Sequence, residues 1–413
     1  MGYEPLKPSQ TLHPSEQILL GKKVLIIVEN LPVPFDRRVW QEARALRDAG
    51  AEISIVCPTG KSSKEKYEYL EGIHIYRHDL PLEANGALGY VVEYSSALFW
   101  QSFLAWKIFL SRGFDIIHGC NPPDLVFAVA LQFRLFGKRY IFDHHDISPE
   151  LYEAKYGRRG AFWNLLRFIE WLNFKFSDVV ISTNNSYKEI ATSRGGKRGD
   201  DVFIVRSGPD LSRVREVAKN PDLKNGREFL VGYVGVMGEQ EGIDLLLQSV
   251  QHLIYNRGRT DIQFILVGGG AHLEKLKALC EALALNDYVT FTGRAPDDLL
   301  FQALSTADVC VNPDRVNPMN DKSTMNKILE YMALGKPIVQ FDVTEGRYSA
   351  QSASLYALKN DPVDFASKIE DLLADAELRR TMGNFGRKRV ESSMAWSYEI
   401  PSLLAAYRRA FAK

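Results

Sequence analysis

Short β-branched runs alternate with helical runs twice along this chain, and that double alternation constrains the fold most. In the first half, strands are predicted at 24–28, 52–57, 73–77, 116–118, 139–143, 179–182 and 202–205. Helices fit between them at 35–49 and 123–135, with a long aromatic one at 163–176. In the second half, strands are predicted at 230–233, 263–267, 289–292, 309–312 and 338–341, with helices at 243–253 and 272–283. Strands and helices joined in turn by short links make a parallel, doubly wound sheet. The turn-rich Arg206-Ser207-Gly208-Pro209-Asp210 and the polar stretch 219–227 separate the two series. A chain of 413 residues is also too long for one core, so two domains of about 150–200 residues each are expected. The boundaries predicted are 1–207, 208–390 and a final segment 391–413 whose aromatic helix folds back towards the first domain. Two such halves imply a central cleft, with ligands at the carboxyl ends of the strands.

Composition narrows the function classes. The formal net charge is zero, which gives no global basic field for nucleic acid. The four cysteines, Cys57, Cys120, Cys280 and Cys310, are scattered without a C-x-x-C pair. That suits a reducing compartment and argues against a disulfide framework or a zinc site. The first 17 residues lack the basic-then-apolar order of a signal peptide, and no uninterrupted apolar run is long enough to span a bilayer. A cytoplasmic location is expected. The segment 97–110, ALFWQSFLAWKIFL, admits two readings: a buried core helix, or a surface helix with Trp100 and Trp106 at a lipid interface.

The most telling motif is 322–339, KSTMNKILEYMALGKPIV. A polar cluster leads into a helix whose apolar stripe is Ile328, Leu329, Met332 and Ala333. Gly335 closes that helix and Pro337 stops it restarting. Hydroxyls, an amide and Lys327 gather at the helix N-terminus, where unsatisfied N–H groups attract phosphate. Glu330 lies one turn further in, off the stripe, placed to accept hydrogen bonds from sugar hydroxyls. The bland alternative is an ordinary capped helix with a solvated glutamate.

Other candidates cluster at predicted strand ends. Gly268-Gly269-Gly270 lets backbone approach a diphosphate closely or simply packs a turn; it is neither a Walker loop nor a dinucleotide fingerprint. Arg37 and Arg38 at a helix start suit a phosphate or acidic acceptor, or pair with Asp36 or Glu42. Asp143-His144-His145-Asp146 suits hydrogen bonding to a sugar or phosphate, or forms a purely structural polar turn; metal fits less well, because adjacent residues point different ways. Asn121 and Asp124 face a ligand or cap the helix that Pro122-Pro123 begins. Cys120 has no evident activating partner and reads as a small buried side chain.

Taken together these blocks resemble the family 4 glycosyltransferases, retaining and nucleotide-sugar-dependent enzymes of two-domain GT-B architecture. The resemblance runs from about Lys22 to the C-terminus. It rests on VLIIVENLPVPFDRRVWQEARAL, FDIIHGCNPPD and FDHHD in the first half, and on YVGVMGEQEGIDLLL, FILVGGG, VTFTGRAP, ADVCVNP and MNKILEYMALGKPIV in the second. It implies an α/β fold of two Rossmann-like doubly wound domains facing a central cleft. It implies that Glu330 binds the ribose, that Ser323, Thr324 and Asn326 lie by the diphosphate and donor sugar, and that Gly235, Gly268, Gly269 and Arg294 border the nucleotide. At the reacting centre it implies His145, Asp146 and Lys327, with Arg37, Arg38, His144 and Asn121 on the acceptor or phosphate side. The donor it implies is UDP-linked before GDP-linked, with no metal or other cofactor, and the acceptor a lipid-linked saccharide in bacterial surface-polysaccharide assembly.

Several positions depart from the family pattern, among them the first loop, where Phe35-Asp36-Arg37-Arg38 stands in place of a glycine pair. Lys322 stands where a second glutamate is common. Met237 and Glu241 fall where diphosphate-neutralising Arg and Lys are frequent, with Lys327 and Arg294 as candidate substitutes. Cys120 replaces a histidine. These departures motivate a second reading, a non-catalytic sugar-nucleotide-binding subunit of a partner transferase.

Overall fold

A computed structural model describes residues 18–60, 63–79 and 87–413, with the side chains of 87–94 excepted. The chain divides into two compact units. The first comprises the described residues up to Pro149 together with Arg159–Val205 and Ile400–Lys413, and the second Glu150–Arg158 and Arg206–Glu399. The return to the first unit thus begins at Ile400, nine residues beyond the predicted 391.

The first unit is built from β1 (Lys23–Ile27), α1 (Arg37–Asp48), β2 (Glu52–Pro58), β3 (Tyr67–Leu70), β4 (Ile73–His78), α2 (Ala87–Ser111), β5 (Ile116–Cys120), α3 (Val126–Arg134) and β6 (Arg139–His144). After α4 (Ser148–Tyr156), most of which belongs to the second unit, it continues through α5 (Ala161–Phe176), β7 (Val179–Ser182), α6 (Asn185–Ser193) and β8 (Val202–Ile204). Its sheet runs β3-β4-β2-β1-β5-β6-β7-β8, parallel except for β3. Leu25 and Ile26 of β1, like Ile116 and Ile117 of β5, are all fully buried, so both faces of the sheet are covered.

The second unit contains β9 (Phe229–Val234), α7 (Ile243–Gln251), β10 (Ile262–Val267), α8 (Leu273–Ala282), β11 (Val289–Gly293), α9 (Asp297–Thr306) and β12 (Val309–Asn312). Then follow α10 (Asn326–Ala333), β13 (Ile338–Phe341), α11 (Thr344–Ala350), β14 (Ser354–Ala357), α12 (Pro362–Ala374) and α13 (Ala376–Arg389). The last helix, α14 (Trp396–Phe411), closes the chain. The sheet order is β11-β10-β9-β12-β13-β14, all parallel. Strand alternation sends Leu230 and Ile265 into one apolar cluster with Ile328 and Met332 of α10. Their neighbours Val231 and Phe264 enter the opposite cluster with Leu246 of α7 and Phe365 of α12.

Both units are therefore Rossmann-like α/β sandwiches, as predicted. Two strands were not expected, β3 and β14. Each is a four-residue strand at the edge of its sheet, one antiparallel and half-exposed and the other short between helices. The segment 97–110 falls between its two readings. Ala97, Leu104, Ala105 and Ile108 are buried, whereas Phe99, Phe103 and Leu110 are exposed. Trp106 turns inward onto Phe133 at 4.7 Å, so it is not the interface anchor that was considered.

Candidate active site

In the second unit, β11, β10, β9 and β12 are neighbours in the sheet, so the loops at their carboxyl ends meet. The Gly235 N–H donates to Val267 O (3.0 Å), the Met237 N–H to Gly269 O (3.0 Å) and the Gly268 N–H to Gly293 O (2.9 Å). Gly268 has φ +147°, and a Cβ there would lie 1.8 Å from the Gly235 carbonyl oxygen. Only glycine allows this approach. The expectation for Gly268 changes accordingly, because its N–H is spent on Gly293 and it shapes the loops rather than offering a donor. Gly269 keeps more room, with the Arg294 backbone at 3.6 Å from a built Cβ, and it stands beside that exposed arginine.

Helix α10 is pinned to the strands by Tyr331, whose hydroxyl donates to Val311 O (3.2 Å) and accepts from the Val234 N–H (2.9 Å). Ile328, Leu329 and Met332 are buried, which turns Glu330 away from the core. Its Oε1 lies 3.9 Å from Arg213 Nη1, and Arg213 is itself held by both oxygens of Asp297 at 2.8 and 3.1 Å. Met325 precedes the helix without a side-chain cap, which leaves the first N–H groups unmet by a cap. Asn326 is exposed there, Thr324 is partly buried, and the Ser323 hydroxyl donates to Met319 O at 2.9 Å. Gly335 ends the helix with φ +64°, its N–H donating to Met332 O, as predicted.

Lys327 sits differently from its expected role. Its Nζ donates to Glu241 Oε2 and to Asp314 Oδ1, each at 2.7 Å, and lies over the Tyr233 ring. A built Cβ on Gly235 would be 3.5 Å from the same Nζ, which places it under the β9 loop. Burial works against the Lys327 charge, but Asp314 and Glu241 outweigh it and hold the ammonium well above its ordinary value. Burial pushes Asp314 up to about 7, with Lys327 pulling it down and Glu241 driving it up. Glu241 is held below its usual value by Lys327 despite burial. The Lys327 charge is committed to two carboxylates, so it braces the loops after β9 and β12 rather than standing as an open cation. Sequence reasoning missed Asp314 and Arg213; Asp314 lies 13 residues from Lys327, and no local pattern links them.

In the first unit, β5 and β6 deliver a buried polar network. Asp36 caps α1, its Oδ1 accepting from the Val39 N–H at 3.1 Å, and so sets Arg38 in the first turn. Arg38 donates to Asp143 Oδ1 (2.9 Å), to Val205 O (2.8 Å) and to His145 Nε2 (2.8 Å), and its Nη2 is 3.1 Å from Glu42 Oε1. His118 bridges Asp143 Oδ2 (3.1 Å) and the Tyr407 hydroxyl of α14 (2.7 Å). His145 Nε2 also meets Asp143 Oδ2 at 2.5 Å. Burial opposes the Asp143 charge, yet Arg38 and His145 hold its carboxyl well below the ordinary range. Burial pushes Glu42 well above its ordinary value, and lowers His118.

Three expectations are corrected here. Arg38 is an internal ion-pair partner and not a phosphate clamp, whereas Arg37 is exposed. His144 is fully buried among Phe142, Phe174 and Tyr187, on the side of β6 opposite Asp143, and so cannot face an acceptor. Asn121 is a staple: its amide donates to Asp124 Oδ1 and Asp146 O, and its oxygen accepts from the His145 and Asp146 N–H groups. It orients His145 and Asp146, and both of those remain partly exposed. Cys120 is buried with its thiol pushed well up by burial, an inert side chain as expected.

Glu42, Asp143 and His145 offer ligand atoms close enough to hold a metal, as do His118, Cys120 and Asp143. The Arg38 guanidinium already lies within 3.1 Å of both Asp143 and Glu42, however, and supplies the positive charge there. A second cation beside it would be repelled.

A family model described as Glycosyltransferase Family 4 matches residues 36–213, and one described as Glycosyl transferases group 1 matches residues 228–375. The capsular polysaccharide biosynthesis glycosyltransferase CapM of Staphylococcus aureus is 29% identical over 220 residues, 52% of this chain and 54% of CapM. The matched stretch spans about half the length of several such curated relatives. Among solved structures, the sucrose-phosphate synthase of Thermosynechococcus elongatus superposes with a TM-score of 0.79 at 22% identity, covering 95% of this chain and 99% of that one. Anabaena HepE, solved with UDP and glucose, gives 0.72 at 15% identity over 94% and 99%. At these identities the structural likeness establishes the fold.

Proposed function

From the premise that this chain belongs to the group 1 and family 4 glycosyltransferases and has their GT-B fold, we propose that it moves a sugar from a nucleotide diphosphate sugar to an acceptor hydroxyl, with retention at the anomeric carbon. Glu330 carries this reading. It is a carboxylate turned off the core, one turn inside an uncapped helix N-terminus, with the glycine loops stitched beside that helix. Its oxygens accept from the ribose hydroxyls. The first N–H groups of α10 and the Arg294 guanidinium take the diphosphate charge, so no metal is needed there. The departing phosphate removes the acceptor proton on the same face. On the first unit, His145 and Asp146, held by Asn121, are the residues we assign to the acceptor side. HepE was solved with UDP, and that supports a UDP-linked donor. CapM, by name a capsular polysaccharide biosynthesis glycosyltransferase, supports a role in polysaccharide assembly, and a lipid-carried saccharide at the cytoplasmic side of a membrane is the acceptor of this proposal.

A second reading, a non-catalytic nucleotide-sugar-binding subunit, is favoured by one observation: Glu241 neutralises Lys327 where the family pattern has open cations.

The test is calorimetric titration without metal against UDP, GDP, ADP and TDP, for the wild type and Glu330→Ala, with release of UDP from UDP-sugars followed in parallel. Two hydrogen bonds to a charged acceptor are together worth about 3 kcal/mol or more, so UDP binding is expected to weaken by roughly 100-fold in the variant. Equal binding by both proteins, or no nucleotide binding at all, would remove the donor assignment. Glu330-dependent binding with no turnover on any sugar or acceptor would select the subunit reading.

A further inference from the structure

We infer that the outer face of α2, α3 and α5 in the first unit is a docking surface for an anionic lipid bilayer. The three helices form one layer. Trp106 of α2 packs on Phe133 of α3 and donates to Gln132 Oε1 at 2.9 Å, and Gln132 donates onward to Ser102. Phe127 of α3 stacks on Phe176 of α5. Inward residues such as Ile108, Val129, Phe133 and Phe174 are fully buried.

The outward side is unlike an ordinary solvated helix layer, which presents charged residues of both signs. It exposes Phe99, Phe103 and Leu110 on α2, Leu135 just after α3, and Leu165 and Phe168 on α5, with Leu135 93% open. Between them stand the exposed cations Lys107, Arg134, Arg167 and Lys175. Residues 95–111, 126–134 and 161–176 contain one acid, Glu170, and it is buried against Arg194 at 2.7 Å. A chain of zero net charge thus sets Lys107, Arg167 and Lys175 on these helices with no exposed acid among the described side chains of the same helices, while Arg134 pairs with Asp178 at 3.6 Å. Arg167 lies over the Trp163 ring and Lys175 over Trp171, cation heads beside apolar bodies as an interface requires.

The charge pattern decides between occupants. A second copy docked by two-fold symmetry would set this face against itself and bring Lys107, Arg167 and Lys175 against like charges. An anionic headgroup layer satisfies the cations while the rings and leucines enter the acyl boundary. Among the described residues no helix is long and apolar enough to cross a membrane, so the contact is a lateral one. This inference deepens the lipid-carried acceptor reading, but it stands on residues apart from the donor site.

The experiment is co-sedimentation of the full chain with vesicles of phosphatidylcholine alone and of phosphatidylcholine mixed with phosphatidylglycerol. Wild type, Arg167→Glu/Lys175→Glu and Leu165→Gln/Phe168→Gln are compared, and the melting temperature of each is checked. The wild type is expected to bind the phosphatidylglycerol vesicles and to release at high salt. Losing a surface cation weakens such binding roughly fivefold, so the charge variant should bind at least about 25-fold more weakly. The apolar variant should also lose binding while its UDP affinity stays that of the wild type, which separates this outcome from failure of the donor site. Equal vesicle binding by all three folded proteins would overturn the inference. So would absence of binding by the wild type, or a dimer in sedimentation velocity that the apolar variant converts to monomer.

Discussion

Replacing Lys327 by methionine tests whether the buried triad braces the loops after β9 and β12. Asp314 is 1% exposed and Glu241 19%, and both oxygens that Lys327 reaches are 2.7 Å away. Removing one partner of such a buried pair costs about 3–5 kcal/mol when the other partner stays charged. Part of that cost is avoidable, because a carboxyl can take up a proton instead. In the wild type, Asp314 is raised from 3.8 to about 7. A raised folded value means that the folded state binds the extra proton, so this group costs stability progressively as pH climbs from about 4 to about 7, and nothing further above that. Glu241, depressed by Lys327, acts the other way at acid pH. Without Lys327 both carboxyls titrate higher. The variant must therefore keep losing stability above about pH 7, by roughly 1.4 kcal/mol per pH unit for each carboxyl still protonated, where the triad leaves the wild type flat. The assay is hydrogen exchange of peptides covering β12 and α10 as a function of pH, which reports this unit without assuming two-state unfolding of a two-unit chain. Adding Glu241→Gln and Asp314→Asn to the variant should restore most of the lost protection. A Lys327→Met protein as protected as wild type, or one whose deficit does not grow with pH, refutes the bracing role.

Two further outcomes follow from the geometry. Gly268→Ala puts a Cβ at 1.8 Å from Gly235 O with φ +147°, so the β9 and β10 loops must separate. UDP affinity should fall at least about tenfold while the first unit's exchange protection stays unchanged. Arg38→Met leaves Asp143 beside Glu42 without its cation, which should destabilise the first unit by about 3 kcal/mol or more. Denaturant unfolding of the variant checks this, with Arg38→Met/Asp143→Asn recovering part of the loss.

The sequence was most legible where an interaction is local or periodic. The apolar stripe of α10 fixed the direction of Glu330, and Gly335 marked the helix end, because both depend on residues within one or two turns. The two edge strands escaped notice for the opposite reason. β3 has the pattern Tyr-Glu-Tyr-Leu, half-exposed and without a continuous apolar run, and it forms only because β4 offers an antiparallel partner. At β6 the period of two already separates His144 from Asp143 and His145. Which side faces the aromatic packing and which the polar network is set by Phe174 and Tyr187 on one side and Arg38 on the other, all more than 25 residues away. The same distinction explains Lys327. A lysine at a helix N-terminus reads as an open cation for phosphate until Asp314 and Glu241 are known to be there, and those arrive by different loops. The helix N-terminus needs no such partner to keep its polarity, since its N–H groups are part of the backbone. In the proposed donor site, phosphate binding therefore rests on the backbone of α10 and on Arg294, and the charge of Lys327 can be spent on structure without abolishing that site.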